Sequence, residues 1–195
     1  MNQTVDSKAR LINSAITLMY ERGYTAVGVK EICDHANVNK GSFYYFFPSK
    51  QDLALAALDT QWQLAKTHLL NPVFSSDLPP LERLQQLFCL AVQAQQSANL
   101  PMRGCFFGNL ALELSTQDEV IRQKLQSIFE EWADCFHNTL TEAIELGQLP
   151  EIDVERTAQA MLAYLEGVAL LAKTNNNPAL VEQLSQGVTK IVISK

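Results

Sequence analysis

The stretch VGVKEICDHANVNKGSFYYFFPSKQDL, Val27 to Leu53, runs aromatic residues together from Phe43 to Phe47 and sets Lys40, Gly41, Ser42 and Lys50 around them. A buried helix has no use for those polar residues, and a surface helix does not tolerate so long an aromatic run. Splitting the stretch by helical periodicity removes the conflict. Val29, Ile32, Cys33 and Ala36 share one face of a short helix that starts near Val27 or Gly28. Asn37-Val38 makes a tight connection, and Asn39 is a good N-cap for a second short helix reaching Phe46. Pro48 ends it. In that second helix Phe43 and Phe46 fall on one side to be packed on a preceding helix. Asn39, Lys40, Gly41, Ser42, Tyr44 and Tyr45 are left on the other side.

Upstream, Ala9, Ile12, Ile16 and Met19 recur at three- and four-residue steps, which predicts a helix from about Asp6 to Arg22. Gly23 stands where a left-handed C-terminal cap is wanted. Downstream, Ser49-Lys50-Gln51-Asp52 reads as a capping box opening a helix to about Leu70, where Asn71-Pro72 breaks it and a loop follows to Pro80. Further helices are predicted over Leu81–Ser97, Cys105–Leu114 and from Ser115-Thr116-Gln117-Asp118 to Leu146, with a stop at Gly147. Asp153 caps another that reaches Thr174, and a last one runs from Ala179 to about Ile193. Asn99-Leu100-Pro101 and Asn175–Pro178 are breaks. No stretch alternates with a two-residue period, so the reading is an all-α chain of about nine helices.

The 195 residues are 47% hydrophobic with few Gly (8) and Pro (7), enough for one domain or for a small domain joined to a larger one. A net charge of −6 argues against nucleic acid, but its distribution argues for it. Residues 1–51 hold six Lys/Arg against four Asp/Glu, a net +2, while the remaining 144 hold nine against seventeen, a net −8. A mildly basic head on an acidic body suits a small nucleic-acid-reading domain carried by a separate scaffold. The polar start MNQTVDSKAR does not read as a signal peptide, and AMLAYLEGVALLA is too short for a bilayer and contains Glu166. Cys33, Cys89, Cys105 and Cys135 lie far apart, and His35, His68 and His137 show no mutual ligand spacing. No metal, cofactor or membrane partner is expected, and such thiols suit a reducing cytoplasm.

Two short helices across a tight turn, preceded by a third, make a helix-turn-helix unit whose second short helix enters the major groove of duplex DNA. Gly41 lets the backbone approach the duplex, while Lys40 and the tyrosine hydroxyls reach phosphates. Gly23-Tyr24, Lys30-Glu31-Ile32, the run from Val38 to Phe47 and Ser49-Lys50-Gln51-Asp52-Leu53 together resemble the N-terminal domain of the TetR family of transcriptional regulators. That family's usual pattern, G-V-S-K-G-x-L/F-Y-x-[HY]-F followed by x-S-K-x-x-L, is matched at most positions over residues 8–58. Asn37 stands for a frequent glycine, Asn39 for the usual serine, and Val27-Gly28 for a common Thr-Ser whose phosphate contact Thr25 partly supplies. The resemblance makes Lys30, Asn39, Lys40, Gly41, Ser42, Tyr44, Tyr45 and Lys50 the DNA-contacting set. For Lys50, the start of a helix adds a backbone N–H and the positive end of the dipole, both of which favour phosphate.

The resemblance further implies a DNA-binding domain over residues 1–58 and a ligand-binding and dimerisation domain over 59–195, whose last two helices pair with their twins. Ala158, Ala160, Met161, Ala163, Leu165, Gly167, Val168 and Leu171 suit such pairing, because small residues let another helix come close; the alternative is that they complete the monomer's core. Gly104-Cys105, with Leu110, Glu113 and Ser115 after it, resembles an electrophile-sensing, N-ethylmaleimide-responsive subgroup of the same family. This implies Cys105 as a sensor, its thiol acidified by Arg103 or a helix N-terminus. The plainer reading makes it a small core residue, as Cys33, Cys89 and Cys135 are expected to be. Phe107 and Trp132 are candidates to line an apolar ligand cavity. Glu113, costly to bury alone, faces solvent or meets a ligand or an arginine. No nucleophile–base pair, phosphate loop or metal set is visible, so an enzyme, a thiol-dependent one included, is set aside. Intact Lys40, Gly41, Ser42, Tyr44 and Lys50 weigh against an interaction module without DNA binding. The expectation is a homodimeric repressor that binds a palindromic operator and is released by a small molecule or an electrophile.

Overall fold

The computed structural model describes residues 3–96, 101–181, 183–184 and 187–188. In chain order the helices are α1 (Gln3–Arg22), α2 (Val29–Ala36), α3 (Lys40–Phe46), α4 (Lys50–Ala65), α5 (Asn71–Phe74), α6 (Pro80–Gln96), α7 (Phe106–Leu114), α8 (Glu119–Glu145) and α9 (Val154–Thr174), with one π turn at Lys66–Leu70. Helical conformation returns at residues 179–181, 183–184 and 187–188, and the rest of the expected last helix lies outside the described residues. No strand occurs among the described residues, so the chain is all-α. Two compact units form: Met1–Gln63 with Phe106–Gln126, and Leu64–Cys105 with Ser127–Lys195. The first of these units holds α7 and the start of α8 together with α1 to α3 and most of α4.

In the first unit α1, α2 and α3 pack on one another. The buried stripe of α1 is Leu11, Ser14, Ala15, Leu18 and Met19, while Ala9 is exposed and Ile12 and Ile16 are half-buried. The expected stripe was therefore turned by part of a helical face: both sets repeat at three and four residues, and periodicity alone does not choose between them. Buried Ser14 is satisfied by His35 of α2, at 2.9 Å from the ring Nδ1. Gly23 ends α1 at φ +85 with its N–H on the Met19 carbonyl. Asn37 takes the left-handed C-cap of α2 at φ 51, and the Asn39 side chain accepts the Ser42 N–H at 2.8 Å. In α3 the packed aromatics are Phe43 and Phe47, not Phe43 and Phe46. Phe47 leaves the helix with extended backbone and turns its ring back into the core, whereas Phe46 stays half-buried, edge-on to Tyr45.

In the second unit the expected break at Asn71-Pro72 is instead a continuous helical path. Proline lacks an N–H and its ring crowds the carbonyl of the preceding turn. The π turn relieves this by widening the ladder just ahead of it, with the Asn71 N–H reaching back to the Lys66 carbonyl. The α6 side chain Arg83 is buried and donates to the carbonyls of Leu78 and Phe74 and to the Glu142 carboxylate of α8. Ile128, Trp132, Phe136, Leu140 and Ala143 make the buried face of α8. Along α9 the buried stripe is Ala158, Met161, Leu165, Val168 and Ala172. Its upper part packs with Met102 and Val181, and the Tyr164 hydroxyl donates to the Leu184 carbonyl at 2.7 Å.

Gly23 carries a double constraint: a left-handed backbone, and the Glu113 Oε2 lying 2.8 Å from where a Cβ would stand. Gly23→Ala is expected to cost about 1–3 kcal/mol, seen as a fall of roughly 3–10 °C in a thermal melt. Gly28, the N-cap of α2, has extended backbone and open space beyond it. Gly28→Ser should raise stability by a few tenths of a kcal/mol. Equal melting of Gly23→Ala and the unaltered protein would remove the constraint.

Candidate nucleic-acid interface

Capping by Asn39 starts α3, and the Phe43 and Phe47 anchors fix its roll. What remains outward is Lys40, Gly41, Tyr44 and Tyr45, with Asn39 at the start and Lys30 exposed on α2; Ser42 is half-buried, its N–H held by the cap. Tyr45 is 78% and Tyr44 56% exposed. Rings left so open to water stand beside a lysine and a bare glycine backbone on the same face of α3. Arg22, the last residue of α1, clamps Glu31 of α2 through both carboxylate oxygens, so the two helices that carry α3 are tied where they meet. The Glu31 carboxyl is held below its ordinary range chiefly by that Arg22 hydrogen bond.

Lys50, expected among the DNA-contacting residues, turns its ammonium inward. Its Nζ donates to the carbonyls of Tyr24 and Val27, each at 2.9 Å, and lies 3.9 Å from the Tyr24 ring centroid. The turn between α1 and α2 exposes carbonyls that need donors, and the first residue of α4 supplies them. Burial pushes the Lys50 ammonium's pKa down, and the Glu113 charge pulls it back up.

The Glu113 carboxylate lies on the turn between α1 and α2. Its Oε2 accepts the Tyr24 N–H at 2.8 Å and its Oε1 the Thr25 N–H at 2.6 Å. Burial alone would raise the carboxyl's pKa, but the Thr25 side-chain and backbone hydrogen bonds, the Tyr24 N–H and the Lys50 charge together bring it below its ordinary value. The same unit is fastened nearby by Gln51 to Asp118 at 2.7 Å and by the Lys124–Asp59 ion pair. Aromatic edges add to this, Tyr20 on Phe106 at 5.4 Å and Trp62 on Phe107 at 5.8 Å. Sequence reasoning found Glu113 but not its partners, although a turn of the form Gly-Tyr-Thr leaves two N–H groups pointing the same way and is a nest for an anion.

The remaining candidates belong to different units. Phe107 is buried in the first unit and Trp132 in the second. Cys105, half-buried, directly precedes α7 and is hydrogen-bonded to the Glu166 carboxyl of α9. Burial raises the Glu166 pKa, and the thiol contact partly offsets this. Glu166 was passed over as a charge interrupting an apolar run, yet an acid in such a run must find a partner, and that was the signal available. Cys33 is buried; Cys135 is half-buried with its thiol on the Glu131 carbonyl; the Cys89 side chain lies outside the described residues. Among the described residues no cluster of His, Cys, Asp and Glu has the makings of a metal site, and no helix is long and apolar enough to cross a membrane.

Comparison with known proteins bears on the whole chain. Residues 11–57 match the profile for bacterial regulatory proteins of the tetR family, and residues 80–188 match that of the tetracyclin repressor-like C-terminal domain. The transcriptional regulator AcuR of Cereibacter sphaeroides is 33% identical over 86% of this chain and 77% of its own. The transcriptional repressor DhaR of Mycobacterium sp. strain GP1 is 28% identical over 90% and 87%. Among solved structures, a TetR regulatory protein from Rhodobacter sphaeroides superposes with a TM-score of 0.86 at 29% identity, covering 95% of this chain and 98% of that one. Reduced NemR of E. coli, at 23% identity, shares the fold with a TM-score of 0.81 over 95% and 97%.

The Glu113 contacts carry a pH signature. A carboxyl whose pKa is lower in the folded protein contributes stability above its unfolded pKa and loses it as pH falls through the folded one. The melting-temperature advantage of the unaltered protein over Glu113→Gln is therefore expected to be constant near neutrality and to vanish in acid, below the ordinary carboxylate range. An advantage that persists unchanged into strong acid would mean that the ionised form is not what the turn holds.

Proposed function

We propose, for a chain that belongs to the tetR family of bacterial transcriptional regulators, that it works as a dimeric repressor released from a palindromic operator by a small electrophile. The chain is a DNA-binding regulator and not an enzyme. Its operation on DNA, and so in the cytoplasm, is read from one feature above all. The roll of α3 buries Phe43 and Phe47 and leaves Lys40, Gly41, Tyr44 and Tyr45 outward. In the proposed complex α3 enters the major groove, Lys40 and the tyrosine hydroxyls take phosphates, and Gly41 lets the backbone close on the duplex. Lys30, Asn39, Ser42 and the main chain of Lys50 complete the contact.

The dimer reading is supported by what α9 leaves uncovered. Its buried stripe serves the monomer, but Ala160, Ala163, Leu170 and Leu171 are exposed, and beyond Gly167 a Cβ would meet nothing within 4 Å. These positions form a second stripe of small and apolar residues, suited to a twin helix at close range. Two heads so joined read half-sites about 34–36 Å apart, or a multiple of this. For the effector, the reading is supported by the Glu166 carboxyl next to Cys105: Glu166 takes the thiol proton, and the thiolate adds to the β-carbon of an activated alkene while the proton returns from Glu166 to the adjacent carbon.

Lys40→Ala is expected to weaken binding to every duplex and to flatten the salt dependence by up to about one log unit per log salt. Ala163→Glu with Gly167→Glu, harmless on an exposed monomer face, should give folded monomers in sedimentation and lose cooperative operator binding. Unchanged affinity and salt slope in the first, or an intact dimer in the second, would send the contact elsewhere.

N-ethylmaleimide should label Cys105 and lower operator affinity at least tenfold, with Cys105→Ser retaining operator binding but losing that response. A Cys105→Ser protein that N-ethylmaleimide still releases would leave a non-covalent ligand as the effector.

A further inference from the structure

The turn from Tyr24 to Val27 is held from two sides by residues distant in sequence. On one side the Lys50 ammonium of α4 takes the carbonyls of Tyr24 and Val27. On the other the Glu113 carboxylate of α7 takes the N–H groups of Tyr24 and Thr25. Gly23 is bare at φ +85, and the carboxylate rests where its side chain would be. This turn leads directly through the Gly28 N-cap into α2, and α2 carries α3 through the left-handed Asn37. The turn thus joins the Phe43 and Phe47 anchors and the Arg22–Glu31 clamp in setting how α2, and with it α3, sits on α1.

We propose that Glu113 is a positioning residue for operator recognition: its carboxylate, carried on α7, sets the α1–α2 turn and through it the pose of α3 on DNA. The proposal rests on the operator-binding reading above but concerns a residue on no DNA-facing surface. The role separates from charge and from stability. A carboxylate in the head repels DNA phosphates, so on charge alone its loss strengthens binding to any duplex. Positioning makes the opposite demand, a loss confined to the preferred sequence. Fixed, the turn presents α3 at one angle; released, it lets α3 sample several, and base contacts require a tighter pose than phosphate contacts.

The test compares the full-length protein with Glu113→Gln and with the milder Glu113→Asp. Asp keeps the charge but, one methylene shorter, reaches the turn less fully. Each is titrated against a duplex enriched by the unaltered protein from a randomised pool and against a scrambled duplex of equal length, with a thermal melt alongside. The expected result is a fall of about tenfold or more in the ratio of enriched to scrambled affinity for Gln, a smaller fall for Asp, and scrambled binding equal to or tighter than that of the unaltered protein. A ratio unchanged in both variants overturns the positioning role and leaves the operator reading intact. Weaker binding to both duplexes in equal proportion, following the fall in melting temperature, assigns Glu113 to stability alone and overturns it too. If the unaltered protein enriches no sequence, the operator reading fails and takes the positioning role with it.

Discussion

A chain leaving one helix for another must find partners for the peptide groups it frees, and here that requirement falls on the four residues from Tyr24 to Val27. None of the partners is a neighbour in the turn itself except the Val27 N–H on the Tyr24 carbonyl. An arginine at the end of α1 reaches the Ala26 carbonyl at 3.3 Å, a lysine from α4 takes two more carbonyls, and a carboxylate from α7 takes two N–H groups. Thr25 and Ala26 are exposed, so the cost of a missing partner, about 1–3 kcal/mol for a buried peptide group, bears chiefly on Tyr24 and Val27, which Lys50 and Glu113 serve. The head is therefore not three helices that happen to carry a tail. It is completed by a segment from the middle of the chain.

What was legible in the sequence follows the range of each interaction. Gly23, Asn37, Asn39 and Asp153 were readable because caps and left-handed positions depend on the residue itself and on its next few neighbours. The helix-turn-helix followed from them. The α1 stripe was misjudged by part of a turn, because Leu11, Ala15 and Leu18 repeat as well as Ile12 and Ile16 do, and the packing of α2 and α3 decides. Phe47 replaced Phe46 as an anchor for a related reason: a residue just past a helix is free to turn inward, and a wheel drawn through it does not apply. Pro72 was read as a stop because the widened turn that accommodates it has no composition of its own. Lys50 was singled out as a DNA contact and Glu113 as a ligand or sensor candidate, but where a long charged side chain points is set by partners that no local pattern contains.

The effector side shows the same division. Small residues on α9 were visible as a class, and only the fold separates those that fill the core, such as Ala158 and Ala172, from those that face outward, such as Ala160 and Ala163. Cys105 was visible by its motif, while the carboxyl beside it came from another element, α9. Cys105 stands immediately before α7, and Glu113 stands near that helix's other end.

The late arrival of Glu113 also has a meaning in time. Its bonds to Tyr24 and Thr25 close loops of 89 and 88 residues. On a ribosome adding roughly 5–20 residues per second, the reading helices, complete at Phe46, emerge about 3–13 s before the carboxylate that steadies them. A nascent or truncated chain ending before α7 holds the lysines and tyrosines of the DNA surface on an unsteadied frame. Competence to choose a sequence is thereby delayed until the middle of the protein has been made.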